Sequence, residues 1–329
     1  MKFLIAGYGS IGRRHLRNLQ TLGQHDLLLL RSHRSTLPEE EIKDIPVETT
    51  VADALAHQPD GVIIANPTAM HLDVAIPAAE AGCAILMEKP ISDHSPKLDH
   101  LQKILSDHPN RFLMGFQYRF HPGLLRVRAL LEQEKIGRPL SFHATWGEYL
   151  PDWHPWEDYR RSYSARADLG GGVALTLCHP LDYARWLFGE VSLIWGISTK
   201  ISDLEIEVDD VAEITLRMQN GMTGNVHLDY YRRFVRHDLE VVGTEGVIHW
   251  NNADALVTLQ TIEQPECVTL APEVPFDRND LFLAEMKHFI AICAGETVPS
   301  CTFEDGLKVD QMVSALKQSS AEGRQIHLD

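Results

Sequence analysis

Long apolar runs are missing from this sequence of 329 residues. No stretch approaches the roughly 18 apolar residues of a membrane span. The apolar run at residues 3–6 is shorter than the core of about 7–15 residues in a secretory signal, so a cytoplasmic location is expected. Positive charge is also scarce: 30 Lys and Arg stand against 46 Asp and Glu, a formal net charge of -16. That balance opposes phosphate backbones and anionic lipid, so neither nucleic acid nor a membrane is an expected partner. The cysteines Cys83, Cys178, Cys267, Cys293 and Cys301 are scattered and form no CxxC pair. An odd, dispersed set fits reduced thiols better than a disulfide framework. A zinc site would need closer clustering of ligands, and no metal is expected. Repeats and biased tracts are absent, and 44% hydrophobic with 23% charged residues is an ordinary globular composition.

What is present is a change of rhythm. In the first third, short apolar runs at residues 3–6, 27–30, 61–65 and 84–87 alternate with helical periodicity at 11–22, 51–57 and 72–81. Such runs read as strands buried on both faces, and their alternation with helices implies a doubly wound parallel sheet of Rossmann type, an α/β fold. After about residue 120 comes a helix at 124–134, a strand at 140–149, an aromatic loop, and Gly170-Gly171-Gly172 before a helix ending at Phe188. Residues 191–261 hold six runs with partial period-two alternation, expected to form an open, mainly antiparallel sheet with one covered face. Helices near 280–293 and 303–320 follow. The expected division is a dinucleotide-binding domain over 1–120 and an α+β substrate domain over 121–329.

Gly7-Tyr8-Gly9-Ser10-Ile11-Gly12 fits G-x-G-x-x-G, between a strand and a helix. The three glycines serve a tight turn, close backbone approach to a pyrophosphate, and helix–strand packing. The helix that follows aims free N–H groups at the phosphates. The second strand runs into Arg31-Ser32-His33-Arg34, where NAD enzymes place an Asp or Glu for the ribose hydroxyls. Arg31, Ser32 and Arg34 suit a 2′-phosphate, because guanidinium binds it bidentately and serine donates a hydrogen bond. NADP(H) is therefore favoured, with NAD(H) as the alternative.

Further segments carry a resemblance. They are Asn66-Pro67-Thr68-Ala69-Met70-His71, Glu88-Lys89-Pro90, the run Gly115 to Pro122 (GFQYRFHP), Gly170-Gly171-Gly172 with His179 and Asp182, and Val242-Gly243-Thr244-Glu245-Gly246. With the glycine loop, in this order, the chain resembles the Gfo/Idh/MocA family: glucose-fructose oxidoreductase, inositol 2-dehydrogenase and their relatives. The resemblance implies that Lys89 is catalytic, that Glu88 and Pro90 position it, and that Asn66, Pro67 and His71 lie near the cofactor. It implies a catalytic His179, and relatives often have a cis bond before the proline matching Pro90. Asp182, three residues on, would share the helix face of His179 and orient its imidazole. One departure is Thr176, which stands where many relatives carry an aspartate; threonine hydrogen-bonds but does not ionise near neutral pH. A neutral Lys89 would need its pKa to fall by roughly 3 units, whereas imidazole starts near 6.5. His179 is thus expected to take the hydroxyl proton while charged Lys89 polarises the oxygen.

Residues 146–166 are rich in Trp and Tyr, among them Tyr149 and Trp153, whose faces suit sugar C–H surfaces. Arg160, Arg161 and Arg166 in the same loop suit a carboxylate or phosphate. Substrate candidates are Lys89, Arg119, Tyr149, Trp153, Arg166, Thr176 and His179. An oligomer interface is the competing reading of that loop. The implied activity is hydride transfer between nicotinamide and a secondary alcohol of a sugar, sugar acid, cyclitol or nucleotide sugar. Redox-assisted glycosidase or isomerase chemistry with tightly bound NAD, or a non-catalytic NADP-sensing regulatory role, are the alternatives. Relatives imply a homo-oligomer, a dimer or tetramer, through the open sheet.

Overall fold

The computed structural model describes residues 1–32, 39–92, 96–272 and 274–328. Their contacts group into two units. The first holds Met1–Phe116, Asp168–Gly170 and Asn279–Asp310; the second holds Gln117–Ala167, Gly171–Arg278 and Gln311–Asp329.

In the first unit the chain runs β1 (Lys2–Ala6), α1 (Ser10–Thr21), β2 (Asp26–Leu30), β3 (Val47–Glu48), α2 (Val51–Ala56), β4 (Gly61–Ile64), α3 (His71–Glu80), β5 (Ala84–Glu88), α4 (Leu98–Leu105) and β6 (Phe112–Gly115). The six strands are parallel, in the order β3-β2-β1-β4-β5-β6. The order reverses direction at β1, and the loops leaving β1 and β4 flank that switch point, where dinucleotides bind in such sheets. Leu4, Ile5, Val62, Ile63 and Leu86 are completely buried, as expected for strands covered on both faces. Truncating one of them to alanine removes about 2–5 kcal/mol. The segment Asn279–Cys293 is helical and belongs to this unit although it follows the second sheet in sequence. Its Phe289 packs on Phe3 at 6.1 Å between ring centres.

The second unit contains α5 (Pro122–Glu132), β7 (Pro139–Tyr149), α6 (Val173–Thr176), α7 (His179–Phe188), β8 (Val191–Thr199), β9 (Val211–Met218), β10 (Thr223–Asp229), β11 (Tyr231–Gly243), β12 (Gly246–Asn251), β13 (Val257–Thr261) and β14 (Val268–Leu270). The helix Asn279–Cys293 is α8; α9 (Phe303–Glu322) and β15 (Ile326–His327) end the series. Nine strands form one sheet in the order β14-β13-β12-β11-β7-β10-β9-β8-β15. All its pairs are antiparallel except β7 with β10. That parallel pair needs a long crossover, which α6, α7, β8 and β9 supply. Alternation along β9 and β10 buries Ile214, Leu216, Val226 and Leu228 and leaves Glu213, Arg217, Thr223 and Asn225 exposed. Phe188 of α7 stacks on Phe142 at 4.8 Å over the covered face.

The expected single helix after the glycine run is two, because Leu177 and Cys178 interrupt it. β11 begins earlier than its alternation predicts; a register shift between Tyr231 and Arg236 masks the period. The short strands β3, β14 and β15, with β6 and α4, carry too few residues to declare a pattern. No helix among the described residues is long and apolar enough to cross a membrane. All five cysteines are free thiols.

Candidate active site

The glycine loop owes its shape to backbone contacts. Gly7 has φ +104°, and a Cβ there would lie 2.7 Å from the carbonyl oxygen of Ala65. A Cβ on Gly12 would strike the Gly7 carbonyl. One on Gly9 would meet no atom within 4 Å, so open space faces the loop at its middle glycine. Gly9 caps α1 without any side-chain hydrogen bond, with Ser10 exposed and Ile11 half-buried. These are the conditions a pyrophosphate needs: room at Gly9 and N–H groups not covered by a side chain.

The end of β2 differs from expectation. Arg31 is 6% exposed, its Nη2 lies 2.8 Å from Glu39, and its guanidinium sits 5.5 Å from the Tyr8 ring centre. It is therefore a buried, ion-paired side chain instead of an open cation. Ser32 is exposed; Arg34 lies outside the described residues. Glu41 engages Arg13 of α1 at 2.7 Å and also Arg17 of the same helix. Those two arginines hold the Glu41 carboxyl down at about 2.

The loop after β4 is tied to the turn after β5 by one imidazole. His71 places Nε2 3.0 Å from the Asn66 carbonyl and Nδ1 2.9 Å from that of Pro90. Burial pushes its pKa down, so the ring is neutral and donates to one carbonyl at a time. Pro67 caps the short turn between them. Asn66 donates its amide to the Met70 carbonyl at 3.2 Å, while its Oδ1 is buried with no partner. That oxygen is an acceptor held ready for an N–H or O–H group. Lys89–Pro90 is a cis peptide bond. From Cys83 to Ser92 every residue is buried except Lys89, which is half-buried. Glu88 points inward to His15 at 2.8 Å.

In the second unit His179 opens α7 and is 1% exposed. Its ring lies 4.8 Å from Tyr118 and 5.5 Å from Trp146. Trp146 in turn stacks on His237 at 4.3 Å, with planes 5° apart. His237 and Trp250 carry no sign of this role in the sequence, and Tyr118 stands out there only as part of the run Gly115 to Pro122; β11, β12 and the turn at 117–120 bring the three rings together. Asp182, expected to orient His179, receives a two-pronged ion pair from Arg119, at 2.7 and 3.1 Å. Arg119 is 7% exposed, so its fork braces α7 and its expected part in substrate binding has no open guanidinium to rest on. Thr176 is buried near the Tyr230 hydroxyl, which donates to the Ser164 carbonyl at 3.5 Å. The backbone before it is fixed by Asp209, which accepts from the N–H groups of Val173 and Ala174 at 2.9 Å.

Of the remaining loop candidates, Trp153 meets Tyr230 edge-on at 5.5 Å and keeps a buried indole N–H without a partner. Tyr149 lies under the Arg233 guanidinium at 3.7 Å. Arg166 is exposed. Arg160 is engaged by Asp158 and Glu205, at 2.8 and 2.5 Å.

A Rossmann strand order, a glycine loop with room at its centre and a lysine emerging from β5 define a dinucleotide-binding oxidoreductase. The two halves of the chain each match one family. Residues 1–116 match the oxidoreductase family with an NAD-binding Rossmann fold, and residues 124–249 match the GFO/IDH/MocA C-terminal domain. The chain belongs to the Gfo/Idh/MocA family and is an NAD(P)-dependent oxidoreductase. It is 27% identical to myo-inositol 2-dehydrogenase of Thermotoga maritima, over 100% of this chain and 99% of that protein. It is 28% identical to levoglucosan dehydrogenase of Pseudarthrobacter phenanthrenivorans, over 79% of this chain and 77% of that one. The fold is also that of a levoglucosan dehydrogenase solved in complex with NADH, with a TM-score of 0.87 and 22% identity over 100% of this chain and 99% of that chain.

Proposed function

We propose that this enzyme transfers a hydride between NADP(H) and a secondary alcohol of a sugar, sugar acid or cyclitol. The observation that carries the reading is in the first unit. The open space at Gly9 and the half-buried Lys89 both lie at the carboxyl ends of parallel strands, β1 and β5. Relatives named for inositol and levoglucosan support the polyol class. The bound nicotinamide supplies the hydride acceptor or donor. Gly7, Gly9, Ser10, Ile11 and Gly12 hold its pyrophosphate, and Asn66, Pro67 and His71 line its place. His179 takes the hydroxyl proton, and Lys89 remains a charged donor to the same oxygen. Thr176, Tyr149, Trp153 and Arg166 contribute hydroxyl, ring and cationic contacts to the polyol.

For the 2′-phosphate, Arg31 is the anchor, with Ser32 and Arg34 beside it in sequence. Glu39 now occupies an Nη2 donor of Arg31, the position an anion would take. A phosphate carries more charge and more acceptor oxygens than a carboxylate and displaces it. The protein works in the cytoplasm as a homo-oligomer, a dimer or tetramer. Trp195 and Ile197, 50% and 57% exposed on β8, give the open sheet face apolar surface to bury. The test is a panel of sugars, sugar acids and cyclitols with NAD+ and NADP+, followed at the nicotinamide absorbance. Turnover of a polyol with higher kcat/KM for NADP+ is expected; a panel with no reduced nicotinamide contradicts the reading.

A further inference from the structure

Three ionisable side chains meet inside the first unit, each of them buried. His15 comes from α1, Glu88 is the last residue of β5, and Glu285 comes from α8. Their exposures are 0%, 6% and 0%. His15 Nε2 lies 2.8 Å from Glu88 Oε1. One ligating atom from each of the three lies within 4.8 Å of the others. Both Glu285 oxygens and His15 Nδ1 are buried with no hydrogen-bond partner. Phe282, one turn before Glu285, closes the cluster by meeting the His15 ring edge-on at 6.2 Å.

Two carboxylates cannot both stay ionised in such a place without something positive among them. A divalent cation is the first candidate. It wants four or more ligands, while here three side chains are available and two of them have already spent an atom on each other. Of the cations near α8, Arg14 lies over Phe282 at 4.4 Å, and Arg111 acts on Cys293. A single proton satisfies the cluster with less. Burial and the charge of Glu88 push the Glu285 carboxyl well above its ordinary value.

We propose that Glu285 is a positioning residue which carries a proton at neutral pH and donates it to Glu88, bracing the turn that presents Lys89. The brace has two arms. His15 ties Glu88 to the helix that starts at the glycine loop, and Glu285 ties it to α8. Glu88 and Lys89 are consecutive, so the direction of one side chain constrains the other. The consequence for turnover rests on the catalytic role given to Lys89 above; the proton on Glu285 does not.

The test compares the full-length wild type with E285Q, which keeps a neutral donor of the same size, and E285L, which keeps bulk alone. Infrared spectra at about pH 8 should show the C=O stretch of an un-ionised carboxylic acid in the wild type and its loss in E285Q. A raised carboxyl means that the folded state holds more protons than the unfolded state above about pH 4.5. Wild-type stability therefore declines as pH rises from there, and the Tm of E285Q should gain on it progressively over that range. In turnover, E285L should lower kcat about tenfold with the KM for nucleotide changed less than about twofold, and E285Q should restore most of the rate. Absence of the wild-type band, or its persistence in E285Q, overturns the proposal, as does stoichiometric metal in the wild type that E285Q loses. A folded E285L with wild-type kcat overturns the bracing role. The infrared and Tm results read the proton even if no alcohol in the panel is oxidised, so failure of the activity reading stays separate.

Discussion

The candidate residues of the first unit are held by backbone, and those of the second by rings. Around Lys89 the fixed points are carbonyls and glycines: Gly7 against Ala65, and His71 between the carbonyls of Asn66 and Pro90. Around His179 they are the side chains of Tyr118 and Trp146, backed by His237. Backbone geometry tolerates almost no added atom. A ring cluster tolerates changes of volume better but is sensitive to charge, because burial there has removed the water that would solvate it.

The largest effects expected from this contrast fall on the charged donor and the glycines. Lys89→Met should lower kcat by about 10²–10³ with little change in the KM for nucleotide, as loss of a transition-state donor does. Gly12→Ala places a Cβ against the Gly7 carbonyl, so the loop must shift; the nucleotide Kd should rise more than about tenfold, read by titration of intrinsic fluorescence. A Gly12→Ala enzyme with unchanged Kd would show that the backbone half is looser than its contacts indicate.

An intermediate effect is expected in acid. Burial lowers the pKa of His237 well below its ordinary value, and takes that of His121 to about 3. His121 and Arg278 are the neighbouring groups that add to the shift at His237. For a histidine with a depressed folded value, the unfolded chain binds the proton first. Its contribution to stability is complete above about pH 6.5 and is lost as pH falls below that value. His237→Phe keeps a ring on Trp146 and removes one of the two protons, so the fall in Tm between pH 6.5 and 4.5 should be shallower than in the wild type. Equal slopes in the two proteins would count against a neutral buried His237.

The smallest effect is the one on cofactor choice. Glu39→Gln removes the carboxylate competing for Arg31, and kcat/KM should shift a few-fold towards NADP+ over NAD+. A shift towards NAD+ would mean that Arg31 is a structural ion pair and no phosphate anchor.

The same contrast explains what could be read in advance. The backbone half is local in sequence: Gly7 to Gly12 sit in one turn, marked by its spacing, and Glu88-Lys89-Pro90 in another, marked by the family resemblance. The ring half was only half legible. His179 and the aromatic loop stood out, but the ring contacts of His179 come from residues 118 and 146, and the two-pronged pair of Arg119 with Asp182 had no signal in the sequence. Arg31 was read as an open cation because its counter-ion follows residues that carry no periodic signal. Glu285 had no local signal at all. It is one acidic residue on an amphipathic helix, and only the return of α8 to the first unit brings it to Glu88.

The division of labour between the two halves is open to one direct measurement, the pH dependence of kcat/KM for alcohol oxidation in His179→Asn beside the wild type. If His179 is the base, the wild-type rate falls in acid as the imidazole gains its proton, and that limb disappears in His179→Asn along with about 10²–10⁴ of the rate. If the acid limb survives the loss of His179, the base is elsewhere and Lys89 is not merely a charged donor.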